Sequence, residues 1–117
     1  MTEFILPLKV DSNLGMNRIY AGIHWAQRKK DADYIHLLVQ NEIRKQRIKE
    51  QIYKVPVKIT FIWNGQLDLD NFAYVRKLVI DGLKGSIIKD DSKRYVSQLI
   101  EMFSDNENTK IIVEECK

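Results

Sequence analysis

Apolar residues fall in short runs along the chain, and the spacing within each run indicates the element it forms. EFILPLKV, residues 3–10, reads as a first strand. Pro7 has no N–H for a ladder, which places that strand at a sheet edge or marks a bend. From residue 11 to residue 30 no period is sustained. The stretch holds Gly15, Gly22 and the basic run Arg28-Lys29-Lys30, and is expected to be a long loop of the kind that carries function. A first helix is predicted from Asp31 or Asp33 to about Gln51, with Ile35, Leu38, Val39 and Ile43 facing the core. VPVKITFIW, residues 55–63, is a strand of β-branched and aromatic residues, ended by Asn64-Gly65. Helical spacing returns from Asn71 to about Lys84, where Phe72, Val75, Val79 and Leu83 form one stripe with Leu78 beside it. Gly85 is the natural stop. SIIKDD, residues 86–91, is an apolar step ending in two acids. SKRYVSQLIEMF, residues 92–103, fits two readings: Val96, Leu99, Ile100 and Phe103 suit a helix, whereas the following SDNENT and KIIVEE suit a hairpin. The expected fold class is α/β in two layers, a mixed β-sheet backed by two main helices.

Bulk properties narrow the class. At 117 residues, with 44% hydrophobic and 30% charged, the chain suits a single folded domain over 1–117. Cys116 is the one cysteine, which excludes an internal disulfide and a zinc site built on cysteine pairs. The opening MTEFILPLKV lacks the basic start and longer apolar core of a secretion signal, and no run approaches the ~18 apolar residues of a membrane span. A cytoplasmic protein with no membrane partner is expected. The net charge is +3, divided as +5 over residues 1–64 and −2 over residues 65–117. A basic half beside an acid cluster suits a polyanion-binding surface.

LDLDN, residues 67–71, poses the chemical question. If extended, it turns Asp68 and Asp70 to one face and both leucines to the other. Adjacent carboxylates disfavour each other's charge unless water or a cation lies between them. Asp90 and Asp91 follow the second predicted helix, and a strand–helix–strand path can return near its start, so the two pairs are expected to meet. Four such acids suit a hard cation: Mg2+ takes a few carboxylate oxygens at ~2.0–2.1 Å and keeps several waters, and it can activate water against a phosphodiester. Other sites fit poorly. A calcium loop starting at Asp68 would need glycine and glutamate where Ala73 and Val79 stand. His24 and His36 have no partners at ligand spacing. Lys77 follows Asp70 by two helical turns and shares its face, positioned for a phosphate or simply for an ion pair with Asp81.

DLDN, the helix holding KLVIDGLKG, and the apolar step into DD together resemble the Holliday-junction resolvases of the RusA type. ILPLKVDSNLGMNRIY is similar to that family's first strand and loop, and PVKITFIW and KIIVEE fall in matching order, so the likeness covers nearly the whole chain. The resemblance implies a RusA-like fold and an Mg2+-dependent endodeoxyribonuclease, with Mn2+ as a substitute, cutting four-way DNA junctions by paired nicks as a homodimer. It implies that Asp68, Asp70 and Asp91 bind the metal, with Asp90 in support and Lys77 in the catalytic lysine's role. The family's lysine comes one turn after DN. Here Tyr74 holds that place, and Lys77 stands about one turn further on. Arg18, Arg28, Lys29 and Lys30 in the long loop, and Lys89, Lys93 and Arg94 beside the acid pair, are the expected phosphate contacts. Trp25 is expected to anchor the loop in the core rather than to stack on an unpaired base. A relative that binds branched DNA without cutting it is the rival reading.

Overall fold

The computed structural model describes residues 2–8, 10, 14–15, 19, 22, 24–47, 53–64, 69–105 and 108–116, with Leu69 and Asp70 described in backbone only. Its elements are β1 (Thr2–Leu6), α1 (Trp25–Lys45), β2 (Val57–Asn64), a 3₁₀ turn (Leu69–Phe72), α2 (Ala73–Leu83), β3 (Val96–Ser104) and β4 (Thr109–Glu115). The four strands make one mixed sheet in the order β1-β4-β2-β3. β4 runs antiparallel to both β1 and β2, and β3 runs parallel to β2.

The sheet is sided, as a strand pleat requires. Phe4, Leu6, Ile59, Phe61, Trp63, Ile111 and Val113 are buried on one face together with Ile35, Val39 and Ile43 of α1 and Val75, Val79 and Leu83 of α2. In β4 those inward positions alternate with half-exposed Lys110, Ile112 and Glu114. The helices approach closely at Gly82, where an added Cβ would lie 3.3 Å from His36 Cδ2 and 3.4 Å from Val39. Gly85 adopts φ +81° just after α2, a conformation that favours glycine. Its N–H donates to Ile88 O at 2.7 Å and turns the chain out of the helix.

Four local expectations are corrected, and the open reading of 92–103 is settled. The first helix begins at Trp25 rather than at Asp31 or Asp33, because His24 caps it: Nδ1 accepts the Ala26 N–H at 3.1 Å. Trp25 therefore lies in that helix's first turn and is 70% exposed, not an anchor in the core. The helix stops at Lys45, short of Gln51: Arg47 adopts φ 57°, and the Gln46 side chain donates to Glu3 O at 2.6 Å. Residues 92–103 form a turn and then strand β3, and no hairpin with β4, since β2 lies between them. Finally, LDLDN is not extended throughout, because Leu69–Phe72 is a 3₁₀ turn. Its alternation of faces therefore does not hold.

Candidate functional site

β2 ends at Asn64, and the chain re-enters the described structure at the 3₁₀ turn carrying Asp70. Asp68 lies outside the described residues. What positions the turn is Phe72. Its fully buried ring lies 5.5 Å from that of Trp63, near the end of β2, and 5.1 Å from that of Phe103, near the end of β3. Apolar burial thus draws the backbone of Asp70 to the C-terminal ends of two parallel strands. Open α/β sheets commonly build ligand sites at that end.

Asp90 and Asp91 lie elsewhere. Ile87 and Ile88 are buried and plug the connection after α2, and the Tyr53 N–H donates to Ile87 O at 3.0 Å. A turn follows in which the N–H groups of Tyr95 and Val96 both donate to Ser92 O, while Tyr95 O accepts the N–H of Val57 at 2.9 Å. Both acids therefore sit at the N-terminal ends of β2 and β3. Between them and Asp70 runs α2, 11 residues or ~16 Å of helix. Within one chain the backbone of Asp70 and the pair Asp90-Asp91 thus lie at opposite ends of α2. The crossover delivers β3 parallel to β2, so the chain must travel the helix's full length before the next strand begins. Among the described residues, no three His, Cys, Asp or Glu side chains come together to hold a metal.

Asp91 is instead the end of an alternating chain of charges. Its Oδ2 lies 3.2 Å from Lys84 Nζ, which lies 3.1 Å from Asp81 Oδ1, and Asp81 Oδ2 lies 3.2 Å from Lys77 Nζ. Lys84 is held above the ordinary lysine value, chiefly by its hydrogen bond to Asp81 and also by Asp91, with desolvation working against both. The Lys84 ammonium holds the Asp91 carboxyl below the usual carboxylate range. Lys77 takes the ion pair with Asp81, which directs its amine toward the C-terminus of α2 and away from the turn of Asp70. Tyr74 is buried, and its hydroxyl donates to Asp31 Oδ2 at 2.9 Å.

That contact involves residues the sequence reading missed. Asp31, which suits a helix start in sequence, is buried inside α1 and also accepts from Gln27 Nε2 at 3.0 Å. The i,i+4 pairing of Gln27 with Asp31 was the available signal. Glu101 is a second case: its carboxylate accepts from Trp63 Nε1 at 2.8 Å and from Arg76, holding an acid on the helix-facing side of β3. Of the expected phosphate contacts, Arg18 lies outside the described residues. Arg28, Lys30 and Lys93 are exposed, and Lys29 pairs with Asp33 at 3.1 Å. Lys89 and Arg94 both lie against the ring of Tyr95.

Comparison with known proteins returns no match: no family model, no curated protein and no solved structure aligns with this chain. No helix among the described residues is long and apolar enough to cross a membrane.

Proposed function

We propose that the protein is a cytoplasmic, divalent-metal-dependent endodeoxyribonuclease that acts on four-way DNA junctions as a homodimer. The observation that carries this reading is the seat of Asp70 and Asn71 from the DLDN motif: a 3₁₀ turn at the C-terminal ends of parallel β2 and β3, leading straight into α2. The RusA-type resemblance supplies the chemistry. Asp68 and Asp70 are the residues that would hold Mg2+ or Mn2+, which needs only one or two carboxylates beside its waters. The ion would supply an activated water and neutralise charge on the phosphodiester. Asp91 leaves the single-chain metal set, because α2 separates it from the turn and Lys84 engages it. Asp90 leaves with it, and Lys77 leaves the catalytic set. Exposed Trp25 beside Arg28 and Lys30 supports DNA contact through the start of α1. Two copies related by a dyad suit a junction of near two-fold symmetry.

Asp70→Asn tests the reading. In a labelled-junction assay with Mg2+ or Mn2+ it should abolish nicking while retarding the junction in a gel as well as wild type does. Wild-type cutting by this variant would remove Asp70 from the site.

A specific observation favours a second reading, in which the chain binds branched DNA without cutting it. Tyr74 stands in the family lysine's place and is committed to Asp31, and the turn of Asp70 and the pair Asp90-Asp91 lie at opposite ends of α2. On this reading the wild-type protein shifts the junction but leaves it intact in every divalent cation.

A further inference from the structure

At the N-terminal ends of β2 and β3 lies a recess of about 460 Å³ lined by Tyr53, Lys54, Pro56, Lys89, Arg94 and Tyr95. Its size falls in the range of small-ligand clefts, ~300–1,000 Å³. The walls are fixed by backbone bonds. Tyr53 is tied to Ile87 through its N–H, and its hydroxyl lies 2.8 Å from Thr2 Oγ1. Tyr95 is tied to Ser92 and to Val57. No acid among the described residues neutralises the cations in it. Lys54, Lys89 and Arg94 are exposed and make no ion pair with a described acid. Asp91 is taken by Lys84. Lys89 Nζ lies 5.8 Å and Arg94 Cζ 5.7 Å from the centroid of one ring, that of Tyr95. Like charges so placed repel, and the face of an aromatic ring attracts both. The ring therefore holds two cations ready for an anion.

We infer that this cleft binds an unpaired segment of DNA strand, with phosphates on Lys54, Lys89 and Arg94 and a base or sugar against Tyr53 and Pro56. The inference rests on the DNA-binding part of the proposed function and names a second site at the other end of α2 from Asp70. A single strand is chosen over a duplex because aromatic surface beside cations suits bases whose faces are free, and a duplex hides them.

Fluorescence anisotropy with a labelled oligothymidine, and with a duplex of equal length, tests it in the full chain. A variant combining Lys54→Ala, Lys89→Ala and Arg94→Ala should weaken strand binding by ~tenfold or more, and lower the slope of log K against log salt by ~2, at ~0.7 per lost phosphate contact. Duplex binding should change much less. Tyr95→Leu, which keeps every charge but removes the ring, should also weaken strand binding, and circular dichroism checks that both variants stay folded. The inference is overturned if the triple variant binds the strand as wild type does, or loses strand and duplex equally. Junction cutting is scored separately. A protein that holds the strand through this cleft yet never nicks sinks the nuclease reading alone. One that nicks, with strand binding indifferent to these variants, sinks the cleft alone.

Discussion

The two ends of the β2–α2–β3 unit are held by different forces. At the C-terminal end of the strands, Phe72 is sealed against Trp63 and Phe103, Trp63 stacks on Phe61 with centroids 4.8 Å apart, and Tyr74 donates to buried Asp31. At the other end, ion pairs run from exposed Asp91 through Lys84 and half-buried Asp81 to exposed Lys77, beside cations that have no acid partner among the described residues. Burial of aromatic area carries stability, while exposed pairs are worth little because water and salt screen them. The charged end can therefore change with little effect on folding, and it is the end whose surface suits a polyanion. The sealed end fixes the turn of Asp70 by apolar packing that a substitution will not spare.

Variants can break or sharpen that contrast. The largest effect is expected from Phe72→Ala, which empties a fully buried ring site and should cost ~3–5 kcal/mol in urea unfolding. A loss below ~1 kcal/mol would mean that the turn is not anchored by this ring. Tyr74→Phe comes next. It leaves the ring but takes one donor from buried Asp31, and should cost ~1–3 kcal/mol in the same measurement with junction binding unchanged. An unchanged midpoint would show that the hydrogen bond between the helices contributes nothing.

At the charged end, Asp91→Asn should cost only ~0–1 kcal/mol at neutral pH, since the partners are 44% and 34% exposed, and Lys84→Met should cost more than Asp91→Asn because it also breaks the pair with half-buried Asp81. Their pH dependence is more telling. Asp91 titrates low in the folded state, so its contribution is present above the ordinary carboxylate value and is lost as pH falls through the lowered one. Lys84 titrates high, so its contribution is present below the ordinary lysine value and is lost as pH rises through the raised one. Melting curves across pH should show the gap between wild type and Asp91→Asn closing in acid. A gap that stays constant would deny the ion pair. Lys77→Ala is expected to have the smallest effect, at most ~0.5 kcal/mol, and to leave junction cutting intact. Loss of cutting in that variant would return Lys77 to the active site.

Much of this fold was legible from local pattern. The strand read at 55–63 is Val57–Asn64, the helix read from Asn71 to Lys84 contains Ala73–Leu83 with the named stripe buried, and KIIVEE lies in β4. Gly85 stops the second helix as its position suggested. These are properties of periodicity and backbone freedom, which a few neighbouring residues set for themselves. The candidate site was less legible. DLDN and DD were visible as acids, but the distance of the Asp70 turn from Asp90 and Asp91 followed from β3 entering the sheet parallel to β2, at the far end of α2. The ambiguous 92–103 stretch was settled in the same way, by β2 offering an edge along which a strand could pair. Asp31 became a buried acceptor because Tyr74, 43 positions away, supplied a donor. The sequence by itself determined most of the helix and strand segments, 92–103 excepted, and where the acids and cations stand along the chain. Only the tertiary structure decided which of them meet, because strand order and crossover direction are set by burying apolar surface from distant segments together, and no local period encodes that choice.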